Sequence, residues 1–229
     1  MRQIFLDTET TGLYPAQGHR IIEVAAVEVV NRRVTKRYFH QYINPEREID
    51  AGAQEIHGLS LDFLQDKPKF ADIVKELIDF IADAELIMHN APFDVGFLNH
   101  EFGLLEGNRV EQIVEKVTDT LKMAKELRPG QRNNLDALCR HYGIDNSKRT
   151  LHGALLDAEL LAEVYMAMTR GQESLMMELE MSEGVAGLAI GEDLPPLVIK
   201  KADEKESNEH DAYLAALAKS GRCVWQQFS

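Results

Sequence analysis

Long apolar runs are missing from this 229-residue chain. Although 45% of its residues are hydrophobic, no stretch is long and uncharged enough to span a bilayer, so no membrane partner is expected. Cysteine is scarce. Cys139 and Cys223 are the only two, too few for a disulfide framework, and the expected location is a reducing cytoplasm. A secretory leader is not expected, because Asp7 and Glu9 interrupt the first apolar stretch almost at once. Basic residues are outnumbered, with 25 Lys and Arg against 38 Asp and Glu and a net charge of −13. This balance argues against a free-standing, tight nucleic-acid binder. Trp occurs once, at position 225, and no internal repeat is visible.

The deficit of positive charge is uneven. Residues 171–229 carry a net −6 and residues 1–170 the other −7. Between Lys116 and Arg149 the sign reverses: Lys116, Lys122, Lys125, Arg128, Arg132, Arg140, Lys148 and Arg149 face Asp119, Glu126, Asp136 and Asp145. Such a stretch suits either a phosphate-meeting surface or an ordinary solvated helical face.

What the chain does have begins with Asp7-Thr8-Glu9-Thr10-Thr11-Gly12. Arg2 to Leu6 reads as a short buried strand, with Asp7 where it ends. Residues two apart in extended backbone point the same way, so Asp7 and Glu9 can aim at one point. The pair fits a solvated strand end with a helix cap. It also fits a cation site, for which oxygen ligands suit magnesium or manganese. Gly12 lets the backbone turn where a side chain would clash.

Further along, Ile21–Val30 and Val34–Ile43 read as a β-hairpin across Asn31-Arg32-Arg33. Ile49–Leu59 has weak periodicity, and its His57 reads as a surface or capping residue, with substrate contact as the sharper alternative. Phe70, Ile73, Val74, Leu77, Ile78 and Ile81 fall at helical spacing. Glu85–His89 reads as a buried strand followed by a helix near Phe93, so the class is α/β. On that helix Asp94 shares a row with Leu98 and Phe102, where a charge is expensive unless paired, although a first-turn Asp also pleases the helix dipole. Short helices are expected within Thr118–Leu127 and at Leu135–Tyr142, the latter capped by Gly143. The last strong helix runs from Ala154 to about Met168. Asp157 lies on its apolar side with no basic residue three or four positions away, which points to a metal partner. His152 sits at its mouth.

Beyond Gly171 the texture changes. Gly184 to about Glu209 reads as a mobile linker. From His210 the chain turns apolar again, with Tyr213, Leu214, Leu217, Trp225 and Phe228, which suggests docking into a partner or folding back on its own domain. The expected domains are 1–170, 171–209 and 210–229.

Together, Asp7, Glu9, Asp94, Asp157 and His152 suit two-metal phosphodiester hydrolysis. Two cations about 3.5–4 Å apart hold the attacking and leaving oxygens. Asp7 is assigned to bridge both, Glu9 and Asp157 to complete the first, and Asp94 to serve the second directly or through water. Neutral His152 would take the proton of the attacking water.

Three ordered segments also look familiar: Asp7–Leu13, His89–Asp94 and His152–Ala158. They resemble the three motifs of the DEDDh 3′→5′ exonuclease superfamily, and the His five residues before the last Asp separates this branch from the one using Tyr. Within it, Gly18–Glu23, Val27–Arg33, Arg132–Cys139 and Asp145–His152 resemble proofreading subunits of bacterial replicative DNA polymerases. The resemblance implies a ribonuclease-H-like mixed sheet flanked by helices, followed by a largely disordered C-terminal tail. It implies 3′→5′ removal of nucleotides from DNA with two Mg²⁺ or Mn²⁺ ions. It makes Asp7, Glu9, Thr10, Leu13, His57, Phe93 and Asp157 substrate contacts, although Leu13 and Phe93 equally suit a core. One position departs: Gly52 stands five residues before His57, where relatives often carry an acid. Outside the domain, the resemblance implies a sliding-clamp peptide at Gln172–Met177 (Gln172, Leu175, Met176, Met177). It also implies a tail gripping the polymerase catalytic (alpha) subunit through Trp225 and Phe228, and it leaves open a small third core subunit. An RNA-trimming exonuclease and a non-catalytic bridge between clamp and polymerase are the competing readings.

Overall fold

The structure, a computed structural model, describes residues 1–147, 149, 151–170 and 203–220. The chain divides into two units, Met1–Glu178 and Leu179–Ser229. The first holds a five-stranded mixed sheet of β1 (Arg2–Thr10), β2 (Ile21–Val30), β3 (Arg33–Tyr42), β4 (Glu85–Met88) and β5 (Lys116–Asp119). Its spatial order is β3-β2-β1-β4-β5. The helices of this unit are α1 (Ala51–His57), α2 (Leu61–Leu64), α3 (Phe70–Ile81), α4 (Ala91–Leu104), α5 (Val110–Ile113), α6 (Thr120–Leu127), α7 (Leu135–Tyr142) and α8 (Ala154–Met168).

Strand parity builds two cores. Ile4 and Leu6 of β1 pack with α3 and α4 on one face, whereas Phe5 packs with Leu138, Leu161 and Val164 of α7 and α8 on the other. Asp7 and Glu9 share the parity of Phe5 and so face the α8 side, while Thr8 faces the α4 side. β1 pairs with β4 only over Gln3–Phe5, yet it pairs with β2 as far as Thr10. Its C-terminal half is therefore uncovered on the β4 side, at the end where α4 begins.

β1 runs four residues further than expected. Asp7 and Glu9 lie inside the strand, opposite Ala25 and Glu23, because β2 supplies backbone partners that no local signal announces. The β2–β3 hairpin turns at Asn31 and Arg32, both at positive φ (48° and 60°), the twist that suits a two-residue connection. Thr118 and Asp119, at the start of the stretch expected to hold short helices, belong instead to β5, a strand because β4 offers it a parallel edge from Glu85 to Met88. The weakly periodic Ile49–Leu59 holds α1, whose C-cap Gly58 is left-handed (φ 73°).

The second unit contains α9 (Glu204–Ser220), which takes in the last six residues of the segment expected to be linker. The cause is a reciprocal cap: Glu206 N–H donates to Asp203 Oδ1 at 2.8 Å, and Asp203 N–H donates to Glu206 Oε2 at 3.1 Å. Among the described residues no helix is long and apolar enough to cross a membrane. The expected clamp peptide Gln172–Met177, with Cys223, Trp225 and Phe228, lies outside the described residues.

A buried ion pair ties the sheet to α4. Arg20 donates to both carboxylate oxygens of Glu101 at 2.8 and 2.7 Å, and Ile21 N–H donates to the same group. Glu101 is 1% exposed. Removing one partner strands the other, so Glu101→Ala is expected to cost roughly 2–4 kcal/mol, the partial exposure of Arg20 keeping it below the upper range. Urea denaturation checks this; a loss under about 1 kcal/mol would contradict it.

Candidate active site

The uncovered end of β1 opens into a cavity of about 630 Å³. Its lining includes the four carboxylates expected to hold metal, Asp7, Glu9, Asp94 and Asp157, together with His57 and His152. Three scaffold segments deliver them. β1 sends Asp7 and Glu9 toward α8. α8 returns Asp157 from its first turn. α4 contributes Asp94, also from a first turn, entered through Asn90 at φ 69°. Both helical acids sit where the dipole favours negative charge. Thr8 Oγ1 donates to Asp94 Oδ1 at 2.7 Å, so the strand's other face fixes the third element.

The turn before α4 is held from β5. Asp119 Oδ1 accepts from Asn90 N–H at 3.1 Å and also caps α6 by accepting from Leu121 N–H at 2.9 Å. The turn after Glu9 is held by His19. Thr11 Oγ1 lies 3.1 Å from His19 Nδ1, and a Cβ placed on Gly12 would come within 2.3 Å of the His19 ring. Gly12 is thus needed for this close approach.

The acids do not sit comfortably. Burial raises the Asp7 carboxyl well above its usual range, and the charges of Asp94, Asp157 and Glu9 push further the same way. Burial and then Asp157 lift Glu9 to about 8. Burial takes Asp94 to about 7 against the hydrogen bond from Thr8. Ligand atoms of Glu9, His152 and Asp157 lie within 4.8 Å of one another. Hard oxygen donors that repel one another in a desolvated pocket are what a divalent cation relieves, so the donor set fits the metal that the motifs imply.

Asp157 is not unpaired, and the expectation is corrected here. Arg149 Nε donates to its Oδ1 at 2.5 Å and an Arg149 terminal nitrogen to its Oδ2 at 2.6 Å. Arg149 comes from the loop eight residues earlier, beyond the three- or four-residue reach by which helical pairs are sought. In the sequence it belonged to the basic stretch and to the Asp145–His152 segment, with no partner assigned. His152 is half-exposed and does not cap α8; Gly153 holds that position without a side-chain bond. Burial and then Arg149 lower the imidazole's pKa.

His57 is not a surface residue. It is 5% exposed, its Nδ1 accepts from Leu59 N–H at 3.0 Å, and its buried Nε2 has no partner. His89 was quoted in a motif but given no role. It also lines the cavity, with Nδ1 2.9 Å from Thr120 Oγ1 and a buried, unpartnered Nε2. Thr10 is buried, and its hydroxyl donates to Gly12 O at 2.7 Å. Leu13 is exposed at the rim, and partly buried Phe93 packs on Phe97 with ring centres 5.0 Å apart. Gly52 leaves open space in the cavity wall. Of the basic stretch, Lys116 bonds Glu85 at 3.3 Å and Lys122, Lys125, Arg132 and Arg140 are exposed.

Comparison with known proteins points one way. A sequence model described as Exonuclease matches residues 4–165. The chain is 49% identical over 236 residues to the DNA polymerase III subunit epsilon of Salmonella typhimurium, covering 98% of this chain and 97% of that one. It is 48% identical to the protein of the same name from Escherichia coli K12, again over 98% and 97%. In fold it is similar to the nuclease domain of 3'hExo, a DEDDh family member solved with rAMP bound. That likeness has a TM-score of 0.64 at 20% identity, covering 74% of this chain and 92% of that one.

Two outcomes test this geometry. Gly12→Ala is expected to lower stability by about 1–3 kcal/mol, since the new methyl meets a buried ring; an unchanged melting temperature would contradict the packing. The second is pH dependence without metal. The lowered histidines His57, His89 and His152 work the other way near pH 6.5, where they take up protons only when unfolded, and this contribution has largely ended by about pH 7.5. Glu9 keeps its proton in the fold up to about 8 but loses it near 4.5 when unfolded. Above about pH 7.5 the folded state therefore binds more protons, and stability falls as pH rises through about 8. Melts of EDTA-treated protein should show the fall, and a divalent cation should reverse most of it at the upper end.

Proposed function

The chain belongs to the Exonuclease family, and we propose that it is the proofreading 3′→5′ exonuclease subunit of a replicative DNA polymerase, releasing mispaired terminal nucleotides as nucleoside 5′-monophosphates. The observation that carries this reading is the extent of the match. Likeness to the polymerase subunits runs through 98% of the chain, well past the exonuclease segment at 4–165. A shared tail has no use in simple trimming and suits a tethered enzyme.

The chemistry rests on the cavity. Asp7, Glu9 and Asp157 would hold one divalent cation, with Asp7 shared and Asp94 serving a second. Such a pair, Mg²⁺ or Mn²⁺, supplies charge for the attacking and leaving oxygens of an in-line displacement. His152 takes the proton of the attacking water as a neutral imidazole, which its lowered pKa favours. The neutral His57 ring, with Nδ1 already accepting, keeps its proton on Nε2 and offers it to the terminal nucleotide. Leu13 and Phe93 stand at the rim and wall for stacking against unpaired bases. Thr10 shapes the turn beside them.

A mispaired end unpairs at lower cost and reaches the pocket more often, so selection needs no reading of bases. The −13 charge is tolerable because the polymerase and clamp hold the DNA, and effective concentration replaces affinity. Gln172, Leu175, Met176 and Met177 are proposed for the clamp, and Trp225 and Phe228 for the polymerase alpha subunit. The work is cytoplasmic, where the replicating DNA lies.

Asp7→Ala is expected to abolish cleavage of a frayed DNA 3′ end while leaving the fold intact by circular dichroism; unchanged turnover would refute the assignment. The wild-type protein should degrade single-stranded DNA in preference to RNA, and the reverse preference would end the proofreading reading. Truncation after Gly171 should spare hydrolysis and lose co-elution with the polymerase.

A further inference from the structure

Arg149 does more than neutralise Asp157. Its side chain is 7% exposed and every edge of the fork is engaged. Two nitrogens grip Asp157, and a third donates to Asp136 Oδ1 at 2.9 Å. The nitrogen on Asp157 Oδ2 also lies 2.9 Å from His152 Nδ1. A guanidinium only donates. Nδ1 of His152 must therefore be the acceptor, its lone pair is spent, and the neutral ring keeps its proton on Nε2. One cation thus occupies the carboxylate assigned to metal and the lone pair assigned to proton transfer.

We propose that Arg149 is an internal latch. It holds the acid cluster together before metal binds and must release Asp157 and His152 when the cations enter. The release is local. Asp136, whose side chain is 42% exposed, also accepts from Asn146 at 2.9 Å, so it retains one end of the guanidinium while the other swings. Bidentate Arg–carboxylate bonding is strong enough to compete with a cation for one carboxylate yet is made of bonds that reform. A lysine at this place would satisfy the charge but not both oxygens and the imidazole together.

This rests on the two-cation reading of the pocket, and the experiment separates the two. Full-length protein is stripped with EDTA and titrated with Mn²⁺ by calorimetry, as wild type, Arg149→Met and Arg149→Lys. Arg149→Met is expected to bind Mn²⁺ on the order of tenfold more tightly than wild type while melting at a lower temperature without metal. Arg149→Lys, which keeps the charge and gives up the fork, should also bind more tightly, and this separates a displaced bond from long-range repulsion. In ¹⁵N-labelled wild type the Arg149 Nε–H resonance, assigned by its loss in Arg149→Lys, should shift on addition of Mg²⁺. Equal Mn²⁺ affinity in all three proteins, or a resonance unmoved by saturating Mg²⁺, overturns the latch alone. Absence of Mn²⁺ binding in every protein overturns the cation reading and the latch with it. If Arg149→Met does not fold, Arg149→Lys and the resonance decide the matter by the same criteria.

Discussion

Mutual repulsion among four carboxylates in a desolvated pocket is the constraint on which the rest of this structure turns. Each of Asp7, Glu9 and Asp94 is pushed toward holding its proton, with burial as the leading cause. A fold gains nothing in stability from such a cluster. It persists because the elements that carry it are secured elsewhere, and because Arg149 supplies a positive charge against Asp157. Strain of this kind marks places where chemistry is done, and the family to which the chain belongs is one of nucleases.

The securing bonds are well separated from the acids themselves. Arg20 and Glu101 lock β2 to α4. His19 lies against Gly12 and fixes the turn beyond Glu9. Asp119 spans the start of α4 and the cap of α6. These contacts place the strand-borne and helix-borne acids on rigid supports. His152 and Arg149 come instead from the segment before α8, and neither lies in a helix or strand. The acids are thus carried on the scaffold, and the imidazole and its cationic neighbour on the connecting segment. His57 and His89 fall between: both line the cavity, both are lowered by burial, and among the described residues the Nε2 of each has no hydrogen-bond partner.

An acidic protein acting on DNA is a paradox only for an enzyme working alone. The match to polymerase subunits covers nearly the whole chain, and the proposed tether makes local concentration do what surface charge does not. The basic stretch between Lys116 and Arg149 divides under inspection. Arg149 is buried against carboxylates, Lys116 bonds Glu85, Arg128 donates to Arg132 O and Asn133 Oδ1, and Lys122, Lys125, Arg132 and Arg140 face solvent.

Much of the catalytic domain was legible in order along the chain. Helix α3 followed from apolar spacing, Gly143 marked the end of α7, and the buried row of Asp94, Leu98 and Phe102 was visible as periodicity. Spacing also brought Asp7 and Glu9 to one side of a strand and Asp157 to the inner side of α8, since both patterns depend only on backbone geometry. Local signal failed where a distant partner decided the outcome. The last four residues of β1 and all of β5 are strand because neighbouring strands offer hydrogen bonds there. His57 is buried because Gly58 turns the chain under Leu151. Asp157 is paired because a loop folds Arg149 back across eight residues. Sequence alone therefore determined which acids and which histidine belong together, through periodicities that every residue carries with it. Only the tertiary structure decided what charge stands among them, because electrostatic partnership depends on distance in space and not on separation along the chain.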